Sequence, residues 1–460
     1  MGYEQALLKS WKDLEKVSDK KTKKEAWELA GNVISLVIIL LVAIVIFSII
    51  LAPLIVMIFA PGFHKSPEKF YLTTLLARIL FPYIFFIGLS ALFMGILNSL
   101  NHFLIPALNP ALLNIAMISG AWFIAPKLKT PIIGLAIGVL IGGVAQLFFQ
   151  LPILIKKGMN FKFSLNLHHE GLRRIGALML PSTIGLAVAE INSMVDTLLA
   201  TFLPEGSVSY LYYSNRLIQF PLGLFGIAIG TAILPTMSAQ AARKEISALK
   251  ETFSFGLRLV MFITLPATVG LIICRQPIIS ILFQRGAFTA LATQATAIAL
   301  LFYAVGLFAY AGVKVVVPVF YSLQDTKTPV RIAIYSMLAN IVLNIILMQP
   351  LKHAGLAFAT ALASMLNFIL LLYYLRKKMG RLGGRKILIS CLKIIAASIV
   401  MGIVAWILIN QYNFMAISRL YSGIVLLGII LISVILYAVI SFLLKSSEMS
   451  FLIYSLRKKP

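Results

Sequence analysis

A few polar side chains lie deep within long apolar stretches of this sequence, and these are the residues that could do chemistry. An ionisable side chain inside a membrane span costs about 2.5–3.5 kcal/mol on insertion scales, so such a residue indicates function. Arg216 is the clearest case, because it lies several residues inside YLYYSNRLIQFPLGLFGIAIG. A guanidinium suits a phosphate or pyrophosphate through its forked donors and permanent charge. The alternative is a buried ion pair with Glu190 or Asp196.

A second group of polar residues carries oxygen atoms suited to a small hard cation. Asp196 lies in AEINSMVDTLLA, and Asn340 and Asn344 lie four residues apart in SMLANIVLNIILM, on one helix face. Thr360 lies in the next apolar stretch. One carboxylate, two carboxamides and a hydroxyl predict a site for Na⁺, and the sequence indicates no other cofactor. The alternative is hydrogen bonding between helices without any ion.

Other cations occur within or beside apolar stretches. Arg78 lies in LARILFPYI and Lys314 in AYAGVKVVVPVF, and both would assist Arg216 if they face a common cavity. Arg258 and Arg331 lie close to the ends of their stretches. Long basic side chains in such positions extend to the membrane surface, so Arg258 and Arg331 need no role in binding.

The composition indicates a membrane protein that crosses the bilayer many times. Of 460 residues, 60% are hydrophobic and 12% are charged, yet the formal net charge is +25. Soluble domains carry about 25% charged residues, so most soluble enzymes are excluded. A protein that binds nucleic acid keeps its cations on a wetted face rather than among long apolar runs, which excludes a nucleic-acid partner.

A membrane-spanning helix needs about 20 apolar residues, and twelve stretches of the sequence approach or exceed this length. The sequence therefore predicts an all-α polytopic membrane protein with about twelve transmembrane helices. The stretches lie near 32–60, 71–98, 108–126, 131–155, 174–203, 209–236, 254–283, 289–321, 329–349, 354–375, 386–410 and 420–444.

The cations between these stretches are distributed unevenly. Loops on the side of the N-terminus carry about 26 Lys and Arg residues and the opposite loops about 7, which by the positive-inside rule predicts that both termini are cytoplasmic. The same cations suit contact with anionic membrane lipids. Most of the net charge therefore indicates orientation.

Four long stretches together resemble one family. They are ARILFPYIFFIGLSALFMGILNSLNHFLIPALNPALLNI, LYYSNRLIQFPLGLFGIAIGTAILPTMS, VVVPVFYSLQDTKTPVRIAI and LKHAGLAFATALASMLN. They are similar to the MurJ (MviN) lipid II flippases of the multidrug/oligosaccharidyl-lipid/polysaccharide exporter superfamily, in the order the family has them. The resemblance runs from about residue 25 to the C-terminus.

The resemblance implies a transporter rather than an enzyme. The family fold has fourteen helices in two lobes around a cationic cavity that opens alternately to either side of the bacterial inner membrane. Its cargo is lipid II, an undecaprenyl-pyrophosphate disaccharide-pentapeptide, and the peptidoglycan synthesis machinery is an expected partner. Ion gradients or the membrane potential would supply direction, because the sequence contains no Walker A pattern for ATP.

The resemblance also implies roles for particular residues. Arg216 matches the essential cavity arginine of the family, and Asn215 stands where some members carry Asp. Asp196, Asn340, Asn344 and Thr360 match a sodium site described in the family. Asn344 would replace a carboxylate there, which should weaken the site.

The implied domains follow the spans. They are a cytoplasmic segment 1–31, an N-lobe of four spans 32–155, a C-lobe core of six spans 174–375, a helix pair 386–445 that resembles the family's groove for the lipid tail, and a cytoplasmic tail 446–460.

The sequence departs from the family at its front, where two arginine-rich helices are expected and only residues 1–24, without a clear match, are present. Two further functions therefore stay open: a truncated copy that does not transport, and an exporter of another lipid-linked polysaccharide or of drugs. An intramembrane enzyme would need clustered carboxylates or histidines at the membrane face, which the loops lack.

Overall fold

The computed structural model describes residues 20–159, 163–166, 169–412 and 418–457, and these residues contain helices and no strand. Hydrocarbon offers no partner for backbone N–H and C=O groups, so a spanning segment must satisfy them internally as a helix. The all-α prediction is confirmed.

The chain divides into two compact units, Met1–Ala187 and Val188–Pro460, here called the N-terminal and C-terminal units. The division falls within one long helix. The helices up to that point are α1 (Lys20–Ile50), α2 (Ala52–Phe59), α3 (Pro67–Ser99), α4 (Leu104–Ser119), α5 (Ile132–Lys156) and α6 (Glu170–Ala200).

A buried polar network joins the helices of the N-terminal unit. Asn109 on α4 donates to Ser90 Oγ on α3 at 2.9 Å, and Gln150 on α5 donates to the same hydroxyl at 2.6 Å. Gln146 of α5 donates to the carbonyl of Asn109 at 2.9 Å. In a low-dielectric interior such bonds fix which helix faces meet.

The described residues of the C-terminal unit form ten further helices. In chain order they are α7 (Ser207–Pro221), α8 (Ala228–Ala242), α9 (Ile246–Phe283), α10 (Ala290–Val305), α11 (Leu307–Ser322), α12 (Lys327–Leu351), α13 (His353–Met379), α14 (Gly384–Asn410), α15 (Arg419–Leu443) and α16 (Ser447–Arg457).

Two irregularities interrupt these helices. A π turn, Leu222–Ile227, joins α7 to α8 directly after Pro221, which lacks the N–H that a regular α-turn needs. At Gly306 the chain bends by 41° between α10 and α11. A Cβ at Gly306 would lie 2.8 Å from the Cβ of Ala361, so the bend also brings α13 close.

Ten helical segments in the described residues are long and apolar enough to cross a membrane; two of them run past one labelled helix, namely Leu104–Lys127, which continues α4, and Ser207–Ala242, which joins α7 to α8. The bent pair α10–α11 is an eleventh candidate span. These eleven coincide with predicted spans. The twelfth prediction, 174–203, coincides with α6, many of whose side chains lie outside those described. The predicted domain ranges 1–31, 32–155, 174–375, 386–445 and 446–460 stay predictions, and residues 1–19 lie outside the described chain.

Candidate functional site

Arg216 lies on the face of α7 that turns away from the packed core. The buried positions of α7 include Leu211, Ser214 and Ile218, which recur at helical spacing, whereas Arg216 is exposed. Its guanidinium lies over the ring of Tyr212, 5.1 Å from the centroid, and donates to the Tyr212 hydroxyl at 3.0 Å. The tyrosine thus orients the cation by a contact one helical turn away.

The alternative of a buried ion pair for Arg216 is wrong. Among the described residues, the ion pairs join Arg258 to Glu448 at 2.6 Å and Lys378 to Asp325 at 2.7 Å. Neither Glu190 nor Asp196 pairs with Arg216, although both are described. Most of the forked donors of Arg216 therefore stay available to an anion.

The surroundings of Arg216 are polar and open. Asn215, beside it, is exposed, and so is Gln219 one turn further along α7. A Cβ placed on Gly223 would meet nothing within 4 Å. The exposed face of this span therefore carries a cation and two carboxamides, with free space beside Gly223.

Lys314 and Arg78 occupy different surroundings. Lys314 on α11 is exposed and forms no ion pair or hydrogen bond with the described residues. Its backbone carbonyl contacts Gly230 of α8, where a Cβ would overlap it. Arg78, in the N-terminal unit, donates from Nε to the carbonyl of Ile49 at 3.4 Å, close to the C-terminus of α1. A cation stabilises that helix end, so this contact of Arg78 is structural.

The four predicted oxygen-bearing residues come together in the C-terminal unit. Asn344 Nδ2 donates to Asp196 Oδ1 at 2.6 Å and to Asn340 Oδ1 at 2.8 Å. Thr360 Oγ1 donates to Asp196 Oδ2 at 3.2 Å. The cluster joins α6, α12 and α13, and Asn340 and Asn344 are almost fully buried. Spacing along the chain predicted that Asn340 and Asn344 share a face, and the oxygen-bearing side chains of Asp196 and Thr360 suggested the rest of the group.

The sequence argument missed Asn192, one turn before Asp196 on α6. When the amide of Asn340 is turned by half a rotation, its nitrogen donates to Asn192 Oδ1 at 3.1 Å and to Asp196 Oδ1 at 2.9 Å. The four-residue spacing of Asn192 and Asp196 repeats that of Asn340 and Asn344, and this spacing was the available signal.

The cluster has a donor set that fits a hard cation. Asn344 Oδ1 is buried and has no hydrogen-bond partner, which leaves an acceptor facing the interior of the protein. The neighbouring oxygens belong to a carboxylate, carboxamides and a hydroxyl, the ligand types that Na⁺ and other hard cations take. No group of three His, Cys, Asp or Glu side chains suited to a metal occurs among the described residues.

The chain matches a known protein family over most of its length. The family profile described as "Lipid II flippase MurJ" matches residues 13–425. The "Probable lipid II flippase MurJ" of Vibrio cholerae is 44% identical over 303 residues, and that alignment covers 66% of this chain and 58% of the relative. The corresponding protein of Haemophilus influenzae is 35% identical over 406 residues, covering 85% of this chain and 79% of the relative.

Solved structures give the same result for the fold. "Lipid II flippase MurJ, inward closed conformation" matches with a TM-score of 0.78 and 28% identity, covering 96% of this chain and 88% of that one. An inward-facing multidrug resistance MATE family transporter of the MOP superfamily matches with a TM-score of 0.71, 83% of this chain and 86% of that one, at 17% identity, which shows the shared fold alone. The profile match over most of the chain, together with these relatives, shows that the chain belongs to the MurJ family of lipid II flippases.

Proposed function

We propose that this multi-pass membrane protein moves lipid II from the cytoplasmic to the periplasmic leaflet of the bacterial inner membrane by alternating access. The observation that carries the proposal is the family match over residues 13–425. The physical problem is to carry a polar, anionic headgroup across about 30 Å of hydrocarbon. A cationic, hydrated path lowers that barrier while the prenyl chain stays in lipid, and no covalent chemistry is required.

Arg216 is the residue to which we assign the pyrophosphate. It is exposed within a candidate span, contacts Tyr212, and is free of any carboxylate among the described residues. Guanidinium and pyrophosphate oxygens match in geometry and charge. Asn215 adds a carboxamide beside it, and the exposed Lys314 supplies further positive charge in this proposal.

The first prediction concerns Arg216→Ala. It should abolish rescue of a strain depleted of its own lipid II flippase, because the pyrophosphate loses its forked partner. Arg216→Lys should rescue partially, since an ammonium keeps the charge but loses the fork. Growth after depletion and the amount of protein in the membrane fraction are measured together.

Arg331→Ala is the matched control, because Arg331 is also an exposed arginine of a C-terminal-unit span but lies at the beginning of α12. It should rescue fully. Normal growth with Arg216→Ala at ordinary membrane abundance would refute the assignment. Rescue of a strain that lacks an exporter of a different lipid-linked saccharide, without rescue of the strain depleted of its lipid II flippase, would favour the alternative cargo.

We also propose that the cluster around Asp196 binds Na⁺. Asp196 would supply the charge, and Asn344 Oδ1, Asn340 and Thr360 the neutral oxygens. The buried acceptor of Asn344 without a partner supports this, because a cation would satisfy it. Binding there would let a sodium gradient give transport its direction.

The second prediction tests this ion. The melting temperature of the purified protein should rise when NaCl replaces KCl at equal ionic strength, and Asp196→Asn should remove that rise because it removes the only charge of the donor set. Asn344→Asp should enlarge the rise by adding a second carboxylate.

Glu190→Gln is the control, since Glu190 is an exposed acid on the same helix outside the cluster. It should leave the response to sodium unchanged. An equal response of wild type and Asp196→Asn would instead assign the cluster to helix packing.

A further inference from the structure

A large cavity opens in the C-terminal unit where the beginning of α9, the end of α13 and the beginning of α14 meet. Its volume is about 1340 Å³. All three helix ends lie at the loops where the sequence is richest in cations, so the cavity lies at one membrane surface. Its basic lining residues are Lys250, Arg258, Arg376, Arg381, Arg385 and Lys386.

The charge of this cavity is not neutralised within the described protein. Glu251 is the acidic lining residue, and Arg258 is engaged by Glu448 at 2.6 Å. The other five cations form no ion pair or hydrogen bond with the described residues. An orientation signal requires cations on one side of the membrane, but it does not require them to line one cavity. Cations gathered in a concavity concentrate anions there.

The backbone at the cavity wall is also suited to an anion. Gly380 and Gly383 adopt left-handed backbone angles, with φ of +79° and +73°, and the chain turns there into α14. No side chain caps the first turn of α14. Its free N–H groups and the helix dipole therefore present positive charge at the same place.

Ser254 provides an independent indication of a ligand. This cavity-lining residue is only 6% exposed, and its hydroxyl has no hydrogen-bond partner. The hydroxyl lies against the turn, since a Cβ on Gly383 would be 3.5 Å from Ser254 Oγ. Thr264, further along α9, instead donates to the carbonyl of Val260 at 2.8 Å. The Ser254 hydroxyl is therefore free to donate to an oxygen in the cavity.

The remainder of the wall is apolar. Phe255, Leu372, Tyr373 and Ile387 line it. Next to it, the outer faces of α13 and α14 expose large apolar side chains that belong in lipid; they include Ile369, Tyr373, Leu388 and Leu392. The occupant that matches both parts has an anionic phosphate and long hydrocarbon chains.

We propose that this cavity binds an anionic phospholipid of the phosphatidylglycerol type. The phosphodiester lies among Lys250, Arg381, Arg385, the Ser254 hydroxyl and the first turn of α14. The acyl chains run along the exposed faces of α13 and α14. This site is separate from the proposed cargo contact at Arg216, and its lipid is a resident of the leaflet rather than the transported molecule.

The test measures lipid binding by the purified full-length chain. Melting temperature and retained lipid, the latter by native mass spectrometry, are recorded while phosphatidylglycerol is titrated into neutral detergent. Arg381→Gln/Arg385→Gln should weaken binding by about tenfold or more, because each cation near a lipid phosphate contributes substantially. Ser254→Ala, which changes no charge, should weaken it by a smaller factor.

Arg243→Gln/Lys244→Gln is the matched control, because it removes the same charge from the neighbouring loop without touching the cavity lining. It should bind phosphatidylglycerol as the wild type does. Equal binding by Arg381→Gln/Arg385→Gln and the wild type would overturn the proposal.

Three further probes identify the source of the phosphate. Phosphatidylcholine and inorganic phosphate should give little stabilisation, because the first carries its own cation and the second lacks acyl chains. Equal stabilisation by inorganic phosphate would show a soluble anion site and overturn the lipid proposal. Tighter binding of farnesyl pyrophosphate than of phosphatidylglycerol would assign the cavity to the cargo instead and likewise overturn it.

Discussion

At the scale of single residues, the two polar groups within the spans of the C-terminal unit have opposite surroundings. Asp196 receives hydrogen bonds from Asn344 and Thr360 on two other helices. Arg216 contacts Tyr212 on its own helix and is otherwise exposed. A hydrogen-bonded carboxylate with neutral oxygens around it suits a cation that stays bound, whereas an exposed guanidinium suits an anionic ligand that binds and dissociates.

Glu448 forms the most buried ion pair of the described chain. It is 1% exposed and accepts hydrogen bonds from Arg258 at 2.6 Å and from Ser446 at 2.8 Å. Burial alone would raise the pKa of Glu448, but the hydrogen bonds from Ser446 and Ser447 and the charge of Arg258 hold the pKa below its ordinary value of 4.5. Because the folded pKa is lowered, this group stabilises the fold above pH 4.5 and loses that contribution as the pH falls through the lowered value.

The third prediction is that Glu448→Gln destabilises the protein by about 3 kcal/mol near neutral pH, since it leaves Arg258 without its buried partner. Chemical unfolding in mild detergent, followed at several pH values, measures the difference. The gap between variant and wild type should narrow as the pH falls from 4.5 through the lowered pKa of Glu448. Glu251→Gln, an exposed acid on α9, should change little, and a gap that is independent of pH would contradict the charge argument.

The sequence predicted neighbouring residues correctly where their spacing along one helix places them on the same face. Asn340 and Asn344 share a face at any helical geometry, and the structure places them with Asp196 and Thr360. Arg258 has a partner that the sequence did not predict, because Glu448 pairs with it from 190 positions away. No local pattern encodes such a pair, since it depends on where α16 docks.

At the scale of elements, α8 and α11 approach as closely as backbone allows. Gly230 lies against the carbonyl of Lys314, so no side chain fits between the two helices at that point. The neighbouring Gly223, in the π turn of the same span, has open space instead. Two glycines seven residues apart therefore serve different purposes.

The fourth prediction separates these glycines. Gly230→Ala should destabilise the protein by about 1–3 kcal/mol, because its methyl group forces α8 and α11 apart. Gly223→Ala should be neutral in the same unfolding measurement, since nothing meets its methyl group. Equal effects of both substitutions would show that glycine flexibility, rather than close packing, sets the requirement at Gly230.

Apolar length predicted the spans but not their interruptions. The stretch 289–321 is predominantly apolar, yet it bends by 41° at Gly306. The stretch 209–236 likewise contains the π turn Leu222–Ile227. Apolar residues are suited to lipid or to a core in a straight helix and in an interrupted one alike. The bend and the π turn therefore depend on neighbouring helices, such as the one that carries Ala361, rather than on composition.

At the scale of the whole molecule, the cations of the loops predict its orientation. The fifth prediction is that reporter fusions after Gly380 report the cytoplasm and fusions after Lys352 report the periplasm, because Arg and Lys crowd residues 376–386 and are scarce around 352. Alkaline phosphatase and green fluorescent protein, active on opposite sides of the membrane, make the measurement in pairs. The reverse pattern would contradict the orientation and would also move the phospholipid proposed above to the other leaflet.

The bend at Gly306 determines whether the chain crosses the membrane an even or an odd number of times. Each half, α10 or α11, has 16 residues, and at about 1.5 Å per residue each is only about 24 Å long, short of the about 30 Å hydrocarbon core. One crossing by the two halves together would give twelve crossings with α6 included, an even number that would return the chain to the face from which α1 starts. If each half crossed alone, every later loop would exchange sides, and the most basic loop would face the periplasm. A single crossing at this bend thus accords with the predicted cytoplasmic position of the basic loops that follow it.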